Sequence, residues 1–231
     1  MKAKKDLEHW IKPDGRCPFD GLLVLEHCLK NEYVSIAHVI AEFTAFTHPD
    51  TVKGVFECRN VFQTIRAKDN KGNKSDKSRE TYSDCNTWMY DDNSSPRDAF
   101  LYANGLKRKL HEDVQFNHLY QLSDSIDDYT NLANIVMTPA FIAKLTDTHS
   151  ETKELLQYRA YELYGYDPEG KIHAKKPPKD YDNLPWAEPL KKYENVEAFM
   201  RKKIFTKKGN RLSRCIEKYG WFFEPKASNS L

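Results

Sequence analysis

Apolar and polar residues alternate from Val114 to Tyr120, and this period of two predicts a half-buried strand with His118 near its end. The polar stretch Ser123 to Asp128 is loop-like by composition. Asn131 to Met137 reads as a second extended run, and Thr138-Pro139 as a helix start with Thr as N-cap and Pro at the first helical position. Strand, loop, strand, helix is therefore the order expected up to His149. Behind it, Leu155, Leu156, Ala160 and Leu163 form an apolar stripe. With Glu151, Lys153, Glu154 and Arg159 on the outer face, this predicts an amphipathic helix over Ser150 to Tyr164, ended by Gly165.

Upstream, Gly21 to Leu29 is a dense apolar run and is expected to be a core helix. Val34 to Phe46 has similar density, which fits a helix or a strand. Within it His38, beside Ala37, Val39 and Ile40, reads as a satisfied core histidine rather than a ligand. His48-Pro49-Asp50 is a turn signal, and Val52 to Ile65 is a further apolar element bordered by Arg59 and Arg66. Arg66 to Glu80 has no aliphatic residue beyond Ala67, so it cannot bury enough surface to offset ordering and is expected to be a mildly basic, mobile loop.

Thr81 to Tyr90 is β-prone. Asp91 and Asp92 read as solvated carboxylates, and Ser95-Pro96 opens a helix that ends near Asn104-Gly105. Asp167 to Pro189, rich in Pro and charge, is expected to be a long connection anchored by Trp186. Leu190 to Phe223 reads as two short basic helices around Lys207-Lys208-Gly209-Asn210, and the tail from Lys226 is expected to be disordered. The organisation expected is a mixed region over 1–110, a core unit over 111–165, a connection over 166–189 and a basic helical segment over 190–231.

Composition narrows the class. With 231 residues, 39% hydrophobic and 30% charged, the chain can bury a sizeable core. A formal charge of +2 does not decide for or against nucleic acid, because a binder can gather its positive charge on one face. No apolar run is long enough to cross a bilayer, and the basic start Met1 to Asp6 is not followed by an apolar signal region, so a cytoplasmic protein is expected. The five cysteines are odd in number and widely spread, which suggests reduced, mostly buried thiols and makes a structural zinc unlikely on spacing.

The order of elements, with Asn117-His118 at the end of the first strand and Asn131 and Asn134 before the helix, resembles the HNH (ββα-metal) nucleases. That resemblance implies an α+β, helix-rich chain in which a ββα-metal unit is embedded in a mostly helical domain. It implies that His118 is the general base activating water, that Asn117 is at a divalent-metal position, and that Asn134, or less well Asn131, holds the loop that aims the base. The family's spacing puts a further metal ligand at Ala143, whose methyl group cannot coordinate. Three explanations stand: the ligand is displaced to Asp147 or His149, the unit is a degenerate relative, or the ligand was deliberately removed. Read without the resemblance, Asn131 and Asn134 are ordinary turn and capping residues.

Two basic groups bear on partners. Lys107, Arg108 and Lys109 precede the His118 strand. Arg201, Lys202, Lys203, Lys207, Lys208, Arg211 and Arg214 are interleaved with Tyr193, Phe199 and Phe205, a pattern suited to phosphate contact. The function expected is a Mg²⁺- or Mn²⁺-dependent DNA endonuclease of nicking or restriction type. The alternative is a catalytically degenerate nuclease-fold protein that binds DNA or acts as an adaptor, and a third reading is a protein-binding module.

Overall fold

The structure is a computed structural model that describes residues 25, 29, 35–66, 79–82, 86–91, 94–106, 113–172 and 176–209. Among these residues the fold is mixed α and β, with helix in the majority. No helix among them is long and apolar enough to cross a membrane.

The alternating run forms β-strand Val114–His118, which pairs antiparallel with Ile135–Pro139 so that His118 faces Ile135 and Val114 faces Pro139. Numbered along the chain these are β4 and β5; β1 (Thr64–Arg66), β2 (Arg79–Tyr82) and β3 (Asn86–Asp91) make a second sheet. There β1 runs parallel to β3, and β2 runs antiparallel to it on the other side. The stretch expected to be a mobile loop therefore begins and ends in strands, at Arg66 and at Arg79-Glu80; residues 67–78 lie outside the described set.

Helix α1 (Ile36–Phe43) settles the ambiguity of the Val34 to Phe46 run, burying Val39, Ile40 and Ala41. His38 sits in its first turn, half-buried, with its Nδ1 2.9 Å from the Ser35 hydroxyl, so it is satisfied by its own helix start rather than by the core. Beyond α1, Ala45 exchanges two backbone hydrogen bonds with Met137 and so adds an edge bridge to β5. Asp50–Val55 then coils as a π-helical turn that begins at the end of the His48-Pro49-Asp50 turn signal and takes in the start of the expected apolar element.

Helix α2 (Ser94–Ala103) starts at Ser94, two residues before Pro96, the first helical position that Ser95 as N-cap predicts. Two residues after its end stands Gly105, with φ 65°; a Cβ there would meet the Tyr193 ring at 2.7 Å, so glycine is required twice over. After β5 come two four-residue helices, α3 (Ala140–Ala143) and α4 (Leu145–Thr148), followed by α5 (Ser150–Tyr164). Helix α5 has the bounds the stripe predicts, and Gly165 caps it in the left-handed region at φ 73°. Helix α6 (Val196–Phe205) buries Val196, Met200 and Ile204 and lies against α2.

Three expectations need correction. Asn131–Asn134 is not strand: Asn131 caps a 3-10 turn, Leu132–Asn134, and the strand begins at Ile135. Thr138 does not cap a helix, because it lies inside β5, and the helix starts after Pro139 with no side-chain cap. Arg159 is not a free outer-face residue; its guanidinium lies 4.9 Å from the Trp186 ring centre and is paired with Glu162 at 2.5 Å.

Trp186 does anchor the connection. Its indole N–H donates to the Tyr181 carbonyl at 3.2 Å, and its ring meets Phe46 edge-on at 6.4 Å. Nearby, Ala187 N–H reaches the Ala41 carbonyl at 3.0 Å and Leu190 N–H reaches Phe46 at 2.8 Å. One hydrophobic cluster gathers side chains from Val39 to Ile204, including Phe62, Phe100, Leu132, Ile135, Val136, Ile142 and Leu156. The β4–β5 hairpin is thus set into a larger core.

Candidate functional site

The site forms where β4 ends. His118 leaves the ladder half-buried, and its Nε2 lies 2.8 Å from the Tyr129 carbonyl oxygen. A carbonyl can only accept, so Nε2 carries the proton and Nδ1 keeps its lone pair. Nδ1 makes no hydrogen bond to any described residue. The ring is stacked on Tyr129 with centroids 5.7 Å apart and planes at 20°.

Burial holds the His118 imidazole below its ordinary titration range, and the nearby charge of Arg66 pushes the same way. The Tyr129 hydrogen bond and the carboxylate of Asp147 push back without reversing the shift. The group is therefore neutral at pH 7, as a proton acceptor should be. Because the unfolded chain binds this proton more readily, His118 contributes stability above the ordinary value of 6.5 that is lost as pH falls below it. The urea midpoint should accordingly drop between about pH 7 and about pH 5.5, and drop less in His118→Gln. Equal drops in the two proteins would contradict the assignment.

The loop that presents Tyr129 is fixed from two sides. On the hairpin side, Asn134 is fully buried; its Oδ1 accepts from Tyr120 N–H at 2.8 Å, and its Nδ2 donates to the carbonyls of Asp128 at 3.2 Å and Tyr120 at 3.3 Å. Asn131 caps its own turn by accepting from Ala133 N–H at 3.0 Å, and donates to Cys58 O at 2.6 Å and Asp127 O at 3.3 Å. On the other side, residues 58–66 run antiparallel along the loop. Thr130 N–H donates to Asn60 Oδ1 at 2.7 Å, Phe62 N–H to Thr130 Oγ1 at 3.0 Å, and Arg66 N–H to the Ser123 carbonyl at 2.9 Å. Glu57 and Cys58 enter this segment with φ of 51° and 56°, a left-handed pair of non-glycine residues. Asp128 is held in turn by the Tyr166 hydroxyl at 2.5 Å and the Ser125 hydroxyl at 2.6 Å.

The other expected site residues are distributed differently. Asn117 donates from Nδ2 to Thr138 Oγ1 at 2.9 Å. Ala143 is 7% exposed at the end of α3 and offers no donor. Asp147, exposed on α4, sits 3.4 Å from Lys144 Nζ and within electrostatic reach of His118. His149 begins α5 with its Nδ1 2.9 Å from the Thr152 hydroxyl. Among the described residues no three His, Cys, Asp or Glu side chains come together as a metal cluster. A magnesium-type ion is commonly held by only one or two carboxylates, with water and substrate phosphate completing its shell. Asp147 is the one acidic side chain among the expected ligand positions, and its carboxylate acts on His118 electrostatically.

Of the basic groups, Lys107, Arg108, Lys109, Arg211 and Arg214 lie outside the described residues. Arg201 is paired with Glu197 at 3.0 Å, and Lys203 lies over the Phe199 ring at 5.2 Å. Lys202, Lys207 and Lys208 are exposed at the end of α6 and just beyond it. Sequence reasoning missed Tyr129 and Asp128 in the loop and Asn60 and Arg66 opposite it. All four act through pairings that have no periodic signal, although the Asp127-Asp128 and Asn131 positions marked the loop as one rich in turn-forming groups.

No family model, curated protein or solved structure matches the chain.

Proposed function

We propose that the chain is a metal-dependent, HNH-like endonuclease that hydrolyses DNA phosphodiester bonds, with a ββα-type unit formed by β4, β5 and the helices that follow. The observation that carries this reading is the state of His118: a neutral imidazole at a strand end, its proton fixed on Nε2 by Tyr129 and its Nδ1 lone pair used by no described residue. Nδ1 would take a proton from water as the water oxygen bonds to phosphorus and the bond to the leaving ribose oxygen breaks. Asn134 would hold the loop so that Tyr129 keeps the ring aimed. Asp147 and Asn117 would hold the divalent ion, whose chemistry is to stabilise charge on the phosphoryl and leaving oxygens.

The test is incubation with supercoiled plasmid in Mg²⁺ or Mn²⁺. Open-circle or linear product is expected, suppressed by EDTA and lowered on the order of a hundredfold in Asp147→Ala. Cleavage that persists in EDTA would overturn the metal-dependent reading.

A second reading has its own support in Ala143. The family's ligand position is occupied here by a buried methyl group, as expected for a degenerate relative that binds DNA or acts as an adaptor. It predicts no cleavage by the chain as it stands, and metal-dependent cleavage only after Ala143→His if the rest of the centre is intact.

A further inference from the structure

The electrostatic neighbourhood of His118 contains a cation, Arg66, with no counter-ion among the described residues. Five arginines have described side chains within ordered segments. Four of them are committed: Arg59 to Glu57, Arg97 to Asp98, Arg159 to Glu162 and Arg201 to Glu197. Arg66 alone has no ion pair among the described residues.

It is not a surface arginine left to solvent. It is half-buried at the last position of β1, where its backbone N–H donates to the Ser123 carbonyl at 2.9 Å, within the same loop whose Tyr129 carbonyl orients His118. Residues 58–66 lie along that loop from Asn131 to Ser123, so both ends of the clasp are fixed and the Arg66 backbone cannot drift from the site. A half-buried guanidinium gives up part of its hydration, and no carboxylate among the described side chains offsets that cost. Its planar fork of donors suits a phosphate, which can take two parallel hydrogen bonds.

We propose that Arg66 is the phosphate-holding residue of this site, gripping a backbone phosphodiester of a nucleic-acid strand beside His118. The proposal deepens the nuclease reading and rests on it for the identity of the ligand. Arg66 would bring to the phosphate the positive charge that Ala143 and the single carboxylate at Asp147 leave the metal position less able to supply. The grip is through the side chain, and the backbone contact to Ser123 survives substitution.

The experiment is duplex binding by the full chain in EDTA, followed by fluorescence anisotropy of a labelled duplex of about 20 base pairs over a range of salt. Arg66→Ala should weaken binding about tenfold at low salt and reduce the slope of log affinity against log salt by about one. Arg66→Gln should do the same, and it serves as the decisive variant if the alanine protein does not fold. Arg66→Lys should keep the slope and lose a few-fold in affinity, because the charge remains while the fork is gone. Wild-type affinity and slope in both Arg66→Ala and Arg66→Gln would overturn the proposal, as would wild-type binding with no salt dependence. The two readings separate cleanly: loss of slope in a chain that never cleaves plasmid would sink the nuclease function and keep the phosphate contact. Plasmid cleavage with Arg66 silent in binding would do the reverse.

Discussion

Under the proposed nuclease function, replacing His118 by alanine should lower plasmid cleavage by about 10²- to 10⁴-fold and leave duplex binding near wild type. Loss of activity alone would be ambiguous, because the ring also donates to Tyr129 O and stacks on the Tyr129 ring. His118→Gln separates the roles. A glutamine amide can still donate to the Tyr129 carbonyl, yet it has no basic nitrogen. Both variants should be inactive if His118 is the base. Activity in His118→Gln with none in His118→Ala would mean that the side chain only holds the loop, and another group would have to take the proton.

The second large effect is on stability. Asn134 is fully buried and joins three backbone groups of the loop and the strand end. Asn134→Ala leaves the Tyr120 N–H and two carbonyls without those partners, in a place water reaches poorly. The expected cost is about 2–4 kcal/mol, read from urea unfolding. Asn134→Asp is the sharper variant, since a carboxylate would face the Tyr120 and Asp128 carbonyl oxygens. Burial and those oxygens would hold the new carboxyl above its ordinary range, so Asn134→Asp should gain stability as pH falls and the group protonates. A change within about 0.5 kcal/mol in Asn134→Ala would show that the loop is fixed by the 58–66 clasp alone.

Local signals carried the local elements. Helix α5 was legible from end to end because it is long, carries its apolar stripe and stops at a glycine. The strand ending at His118 was legible from its alternation, but it was expected to reach Tyr120. It stops earlier because Leu119 and Tyr120 turn inward, their N–H groups going to the backbone oxygen and the side-chain oxygen of Asn134. Thr138 looked like a cap because Thr before Pro often is one; here its hydroxyl accepts from Asn117 and the chain stays extended through Pro139.

The candidate site was legible only in its sequence-local half. His118, Asn131 and Asn134 stand out because a histidine at a strand end and asparagines in a turn are visible in a window of twenty residues. Tyr129 looks like any core aromatic, and its working group is a backbone carbonyl that every residue has. Arg66 borders a stretch with almost no aliphatic residues, and nothing local ties it to a loop that begins more than fifty positions later. The left-handed pair Glu57-Cys58 is invisible for a similar reason: neither residue favours that conformation, so only the bonds around it hold it there.

The clasp between residues 58–66 and the loop has a consequence for how the molecule comes into being. Its hydrogen bonds join groups from 57 positions apart, Arg66 to Ser123, to 73 apart, Cys58 to Asn131. Closing so long a stretch costs chain entropy before the contacts can repay it, which makes such pairings late events in folding. During synthesis the clasp strand emerges first and waits for its partner. A chain halted before the loop appears, or a fragment cut to the hairpin and its helices, would lack half of what fixes the Tyr129 carbonyl. The hairpin is therefore not a transplantable cassette, and catalytic competence under the proposed function would arise only as the last step of assembly.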